Sequence, residues 1–422
     1  MLVEFSVTNF RSIHERQTLS LVAASGKERR EQNVFDPVAP GTPDLVRSAV
    51  IYGPNASGKS NLLLALGFMW KFVVESAQLL PGGRINVTPF AFAEQAANEP
   101  SEFEIVFVHK GVRYRYGFAL SRDRVHGEWL YAWPEGRQQR WFERRWKVDK
   151  QETDWYLGPS LVGPKKVWQD ATRDISLLLT TAVQLNAEPL MAPFEWISQW
   201  LKPVHPYARF AVNFSIEHCM ADPLWKSRVI EFLAAADTGI TDVHIDKKKV
   251  DMPNLPSTAE GITPPRVQIM FGPAEIYDVR FTHRSAEGND AQIGYNDESG
   301  GTQKLFAMAG PWMDVLQNGY VLLVDELDTS LHPVLIRHLL AMFHDPAINT
   351  KGAQLVFSTH DTSMLDGDIF RRDQVWFVEK DRDLQSHLYP LTEFSPRKEE
   401  KYARGYLQGR YGALPFVGEL KV

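Results

Sequence analysis

Apolar and polar residues alternate from Leu2 to Thr8, the two-residue period of a strand with one buried face. Ser48–Tyr52 is a more continuous apolar run and predicts a second, more deeply buried strand. Helical apolar spacing follows over residues 61 to about 80, where Pro81-Gly82-Gly83 ends it. Over residues 102–146 the period returns to two, with Phe103, Ile105 and Phe107, then Val112, Tyr114, Tyr116 and Phe118, and with His109-Lys110-Gly111 as the hairpin turn. This region predicts an antiparallel sheet. Between about 167 and 237 the spacing is helical again, with Ile175, Leu178, Leu179 and Val183 on one face and a later helix over 223–236. Short helices joined by proline-containing turns predict a compact helical insertion, and the lack of sustained heptads excludes a long coiled coil. Strands are predicted at 243–245 and 266–271, with a loop containing Pro253, Pro256, Pro264 and Pro265 between them. Residues 278–422 then alternate strand and helix, the order of a parallel sheet with crossover helices.

Composition narrows the class. The 422 residues are 44% hydrophobic, 12% aromatic and 23% charged, which is globular and excludes a disordered or fibrous chain. This length predicts two or three domains, or one domain carrying a large insertion. Lys and Arg total 46 against 52 Asp and Glu, so the net charge of −6 excludes a generally cationic nucleic-acid binder while leaving room for local basic patches. The single cysteine, Cys219, excludes an intrachain disulfide and a cysteine-built zinc site, and fits a reducing compartment. The N-terminus has no apolar core of signal-peptide length, and the longest apolar run, residues 62–70, is too short to span a bilayer, so a cytoplasmic protein without membrane contact is expected.

Residues 53–60 read Gly-Pro-Asn-Ala-Ser-Gly-Lys-Ser, the phosphate-loop pattern of a glycine, four residues, then Gly-Lys-Ser. A strand feeds the loop and an apolar helix leaves it, so backbone N–H groups and the positive helix end converge on phosphate oxygens. Gly53 and Gly58 permit the tight path; Asn55, inside the loop, and Asn61, at the helix entry, join the nucleotide-binding set. Lys59 is expected to reach the β- and γ-phosphates and the Ser60 hydroxyl to complete a magnesium sphere. No Asn-Lys-x-Asp guanine motif is present, so the expected cofactors are ATP and Mg2+.

The apolar run Tyr320-Val-Leu-Leu-Val324 ends in Asp325-Glu326, which predicts a buried parallel strand delivering two carboxylates at its C-terminal end, where ligands collect. Asp325 suits metal support and Glu326 suits polarisation of an attacking water. Upstream, Ser299 is positioned to cap a helix predicted over 305–316, and Gly300 and Gly301 leave backbone amides open to a phosphate, although a plain helix cap has the same composition. Downstream, residues 354–359 predict another buried strand ending in His360-Asp361, where His360 can donate a hydrogen bond to a γ-phosphate.

The order of phosphate loop, Ser-Gly-Gly-Thr-Gln, apolar strand with Asp325-Glu326, Leu327-Asp-Thr-Ser330 and strand with His360 resembles the ATP-binding-cassette (ABC) ATPases. The opening Phe5-Ser-Val-Thr-Asn-Phe-Arg-Ser12 is similar to their chromosome-maintenance and DNA-repair (SMC-like) branch. Glu298-Ser-Gly-Gly-Thr302, Asp325-Glu-Leu-Asp-Thr-Ser-Leu-His-Pro333, Ser358-Thr-His-Asp361, Arg372-Asp-Gln-Val-Trp-Phe377 and Tyr406-Leu-Gln-Gly-Arg-Tyr-Gly412 resemble a prokaryotic family of stand-alone ATPases. That family is related to the overcoming-lysogenisation-defect nucleases and occurs in phage-defence operons, including abortive-infection and PARIS systems. The resemblance spans nearly the whole chain. It implies that Lys59 and Ser60 hold phosphate and magnesium, that Asp325 supports the metal and that Glu326 and His360 are catalytic. It further implies that Ser299, Gly300 and Gly301 meet the γ-phosphate bound by a second protomer, that Asp328 lies at the dimer seam and that Arg11 approaches the nucleotide. Gln95 is a candidate for the ABC Q-loop glutamine.

The expected fold is therefore α/β: a P-loop NTPase of the ABC ATPase-head type, with an N-terminal antiparallel β subdomain and a helical insertion between phosphate loop and signature. Residues 1–160 are its N-terminal part, 161–240 the insertion and 241–422 the C-terminal part. The related nucleases carry a TOPRIM domain after the ATPase; here the cassette ends near Pro390 and a short tail follows, so a separate effector is expected, a nuclease (for instance of TOPRIM type) or a toxin. The leading expectation is an ATP-hydrolysing switch, a homodimer or higher oligomer that controls such an effector in anti-phage defence, with a nucleic acid or phage product as trigger. The alternatives are a nucleic-acid-binding repair ATPase and an ATP-held scaffold. Basic clusters at 110–115, 137–150 and 247–249 offer a nucleic-acid or acidic-protein surface, or simply a solvated sheet edge.

Overall fold

The structure, a computed structural model, describes residues 1–204, 209–250, 274–285, 287–395 and 401–415. The expected strand at 266–271, its neighbouring proline loop and the end of the tail lie outside these residues. The chain divides into two compact units, one made of Met1–Pro206 with Met313–Val422, the other of Tyr207–Trp312. No described helix is long and apolar enough to cross a membrane.

The first unit is built on two sheets. The larger is seven-stranded and antiparallel, in the order Glu152–Leu157, Gln139–Lys147, Val125–Trp133, Val112–Leu120, Ser101–His109, Leu2–Thr8, Gln17–Ser20. The hairpin at 109–112 turns on Lys110 and Gly111, both with positive φ (+50° and +75°), which a glycine accepts without cost. The first strand joins this sheet through pairs such as Phe5 with Ile105 and Val7 with Phe103. The second sheet has six strands in the order Leu201–Val204, Val321–Val324, Gln354–Ser358, Ser48–Tyr52, Val375–Lys380, Ser386–Pro390, all parallel except the last. Its central strands are buried throughout, as their continuous apolar runs require.

The helix Lys59–Glu75 packs between the sheets. Its Phe68 and Phe72 meet Phe103 and Phe118 at ring-centroid distances of 4.9 and 5.4 Å. Each fully buried phenylalanine contributes roughly 1.5–3 kcal/mol by leaving water, so this aromatic seam fixes the helix that carries the phosphate loop. Short helices Lys165–Ala171, Leu178–Gln184 and Glu188–Glu195 follow the antiparallel sheet. The N-terminus of Leu178–Gln184 has no cap of its own. The fully buried Glu128 accepts from Leu178 N (2.7 Å), Leu179 N (3.0 Å) and Arg144 Nε (2.9 Å) instead.

Two features differ from the expected layout. The region expected as a helical insertion, 161–240, contains the strand Leu201–Val204, which pairs in parallel with Val321–Val324 and so belongs to the core sheet. Four residues including Pro203 carry too little periodic signal, and proline is tolerated because this strand is at the sheet edge. In the second unit Ala274–Arg284 pairs antiparallel with Ile240–Val250 on one side and with Asp290–Gly294 on the other, so the parallel alternation begins only at Val321. The second unit also holds helices Arg209–Ala221 and Pro223–Ala235.

Candidate nucleotide site

Ser48–Tyr52 ends at Gly53, and the loop 53–58 leads directly into the helix at Lys59. Two glycines are required here. A Cβ on Gly53 would overlap the Val378 carbonyl, and Gly58, at φ +113°, faces Ser386 Oγ and Ser12 Oγ. The loop is braced from outside: Ser386 Oγ donates to Ser57 O at 2.6 Å, and Ser12 Oγ accepts from Asn61 Nδ2 at 2.7 Å. Asn61 thus spends its side chain on the Asn-Phe-Arg-Ser segment. Asn55 is exposed at the loop tip.

Lys59 is buried, and its Nζ donates to Gly53 O (2.8 Å) and Pro54 O (3.0 Å). Burial pulls its pKa down to about 8, opposed by the negative charges of Asp325, Glu326 and Asp328. His360 is lowered as well, by burial first and then by Lys59, against the same three carboxylates, so the imidazole is neutral at pH 7 and retains an N–H donor. The expected lysine, acidic pair and histidine therefore converge. They do so because Val321–Val324, Gln354–Ser358 and Ser48–Tyr52 are adjacent parallel strands ending at one edge.

Ser358, at the end of the middle strand, is fully buried. Its hydroxyl donates to Asp325 Oδ1 at 2.5 Å and accepts from Glu326 N at 2.8 Å. Glu326 has φ +50°, an unusual conformation for a non-glycine residue, and its carboxylate accepts from Thr329 Oγ1 at 3.3 Å. Asp328 Oδ2 accepts from His360 N at 3.1 Å, while its buried Oδ1 has no hydrogen-bond partner among the described residues. Sequence reasoning assigned Ser12, Ser358 and Ser386 no role, although the first two lie inside motifs it used.

A cavity of about 660 Å3 is lined by Ser60, Asp325 and Arg11 together with Phe68 and Asn86. Arg11 sits at φ +53° with its N–H on Thr88 O (2.8 Å) and its guanidinium beside the Phe10 ring. Gln95, the Q-loop candidate, is exposed and does not line this cavity. A hydroxyl and a carboxylate opening on one cavity suit a hard cation that takes its remaining ligands from phosphate and water. Among the described residues no cluster of three or more His, Cys, Asp or Glu is arranged to hold a metal by itself.

The helix predicted over 305–316 runs from Gly300 to Asn318, with Gly300–Trp312 in the second unit, so Gly300 and Gly301 form its first turn and the expected start at 305 is late. Ser299 Oγ accepts from Thr302 N at 3.1 Å, a cap that leaves the glycine amides at the exposed helix end.

The strand order, the loop and the acidic strand end define an α/β P-loop NTPase fold with the antiparallel lobe of ABC-type heads. The chain belongs to the family described as "AAA domain, putative AbiEii toxin, Type IV TA system", whose profile matches residues 48–214 and 222–366. Among solved structures it is similar to the SMC head domain from Thermotoga maritima, at 14% identity over 92% of this chain and 98% of that one, with a TM-score of 0.41. It is also similar to the recombination mediator protein RecF-ATP in the RecFOR pathway, at 14% identity over 92% and 97% of the two chains, with a TM-score of 0.33. Among curated proteins none matches.

Proposed function

We propose that this chain is an ATP-hydrolysing switch whose nucleotide sites are completed between two copies and which controls a separate effector, a nuclease or toxin, in anti-phage defence. The observation that carries the ATPase part is the meeting of Lys59, Asp325, Glu326 and His360 at the ends of three adjacent strands. Lys59 would neutralise phosphate charge, Ser60 and Asp325 would hold Mg2+, and Glu326 would polarise the attacking water with His360 sensing the γ-phosphate. Bound Mg2+ would supply charge neutralisation at the phosphates. Ser299 with Gly300 and Gly301 is the surface proposed to close the partner's site, since an open helix N-terminus attracts a phosphate. The toxin-system wording of the family description supports an effector-linked role.

The repair reading draws on the basic strand Gln139–Lys147, whose cations are engaged within the sheet. Arg144 pairs with the buried Glu128 at 2.8 Å, Arg145 with Glu143 at 2.6 Å, and Arg140 stacks 3.5 Å from the Tyr156 ring centroid. These contacts favour the sheet-edge alternative over a nucleic-acid surface.

Glu326→Gln tests the assignment. Losing the general base should slow hydrolysis by on the order of a hundredfold or more, while ATP-dependent self-association persists. Hydrolysis at the native rate would remove Glu326 from the mechanism.

A further inference from the structure

We infer that Ser358 is a positioning residue of this site, whose single hydroxyl sets both carboxylates of the acidic strand end. The inference rests on the ATPase reading and deepens it. A serine hydroxyl offers one proton and two lone pairs. A backbone N–H can only donate, so Glu326 N takes a lone pair at 2.8 Å and the proton goes to Asp325 Oδ1 at 2.5 Å. The first bond holds the peptide at which Glu326 turns into its left-handed conformation; the second selects one Asp325 oxygen and leaves the other to face a cation. Ser358 O also accepts from Leu327 N at 3.0 Å, and two residues on, His360 N donates to Asp328 Oδ2 at 3.1 Å. Four bonds thus stitch the strand that leads to His360 onto residues 325–328.

Ser358 ends the otherwise apolar strand Gln-Leu-Val-Phe-Ser and is fully buried, so a side chain chosen only for packing there would be alanine or valine. Alanine removes the hydroxyl that accepts from Glu326 N and donates to Asp325 Oδ1. Threonine keeps the hydroxyl, and cysteine keeps the shape with a weak donor.

The test uses the full-length native chain and its Ser358→Ala, Ser358→Cys and Ser358→Thr variants, with three readouts: affinity for a fluorescent ATP analogue in EDTA and in Mg2+, single-turnover hydrolysis, and melting temperature. Ser358→Ala should bind the analogue in EDTA like the native chain, lose the tightening that Mg2+ brings, and cleave ATP about ten- to a hundredfold more slowly, the loss of one charge-assisted hydrogen bond. Ser358→Thr should restore both, and Ser358→Cys, which preserves the fold if alanine does not, should fall between. Native metal response and native turnover in Ser358→Ala or Ser358→Cys, whatever the change in melting temperature, would overturn the inference and leave the ATPase reading standing. A native chain that binds no ATP analogue in either buffer would overturn both.

Discussion

Lys59 is a cation held where burial works against its charge, and that tension is measurable. With its pKa at about 8 in the folded chain, a polyphosphate arriving beside it favours the charged form and raises the value again. Near pH 8, where part of the population is neutral, ATP binding should therefore take up protons; at pH 6 the amine is already protonated and uptake through it should vanish. Calorimetry in buffers of different ionisation enthalpy reads this directly, and a Lys59→Met chain with the same uptake would contradict the assignment. The stability sign follows: between pH 8 and 10.5 the unfolded chain binds this proton and the folded one does not, so the Lys59 contribution to stability rises with pH over that window. At this scale the sequence was legible where residue types recur at fixed spacing, as in the loop and at Asp325-Glu326. Ser358 and Ser386 carry no such spacing, because their partners lie 33 and 329 residues away in the chain.

Two motifs that carried the family resemblance turn out to have packing roles at the level of elements. Beside the 372–377 motif, Arg371 is almost fully buried, with its guanidinium on Asp373 and on the carbonyls of Ala24, Gly26 and Glu28, while Asp373 accepts Ala24 N at 2.6 Å. This pins the chain before the phosphate-loop strand to the strand after His360. In the tail, Tyr406 stacks on Phe377 at 5.4 Å and donates to Ala413 O at 2.8 Å, and Gly412, at φ +68°, lies against Tyr389 and Glu379. Tyr52, the residue before Gly53, lies against Tyr406 and donates to Asp361 O at 3.2 Å, so the tail packs under the loop and the histidine segment. Arg371→Met should cost about 3–5 kcal/mol by leaving Asp373 buried without its partner. Hydrolysis per folded molecule should stay native. A loss below about 1 kcal/mol on urea unfolding would refute the role. Elements with long periodic runs were readable in advance; Leu201–Val204 was not, because its membership of the sheet is decided by a partner strand more than a hundred residues later.

For the whole molecule, the length that first suggested several domains resolves into one unit assembled from both ends of the chain, Met1–Pro206 with Met313–Val422, and a second unit between them. The sequence showed that the phosphate loop and the acidic strand belong to one head. It did not show where the second unit begins, since the helical periodicity before residue 206 and after it is the same while the packing partners change. Ser299, Gly300 and Gly301 fall in that second unit and the phosphate loop in the first.

The most direct test of the shared site is complementation. A Lys59→Ala chain and a Ser299→Arg chain should each be inactive alone. Mixed in equal amounts, they should form one working site in each heterodimer, returning about a quarter of the native rate under random pairing. Activity that stays at the level of the separate variants at every mixing ratio would contradict a nucleotide site built from two copies of this chain.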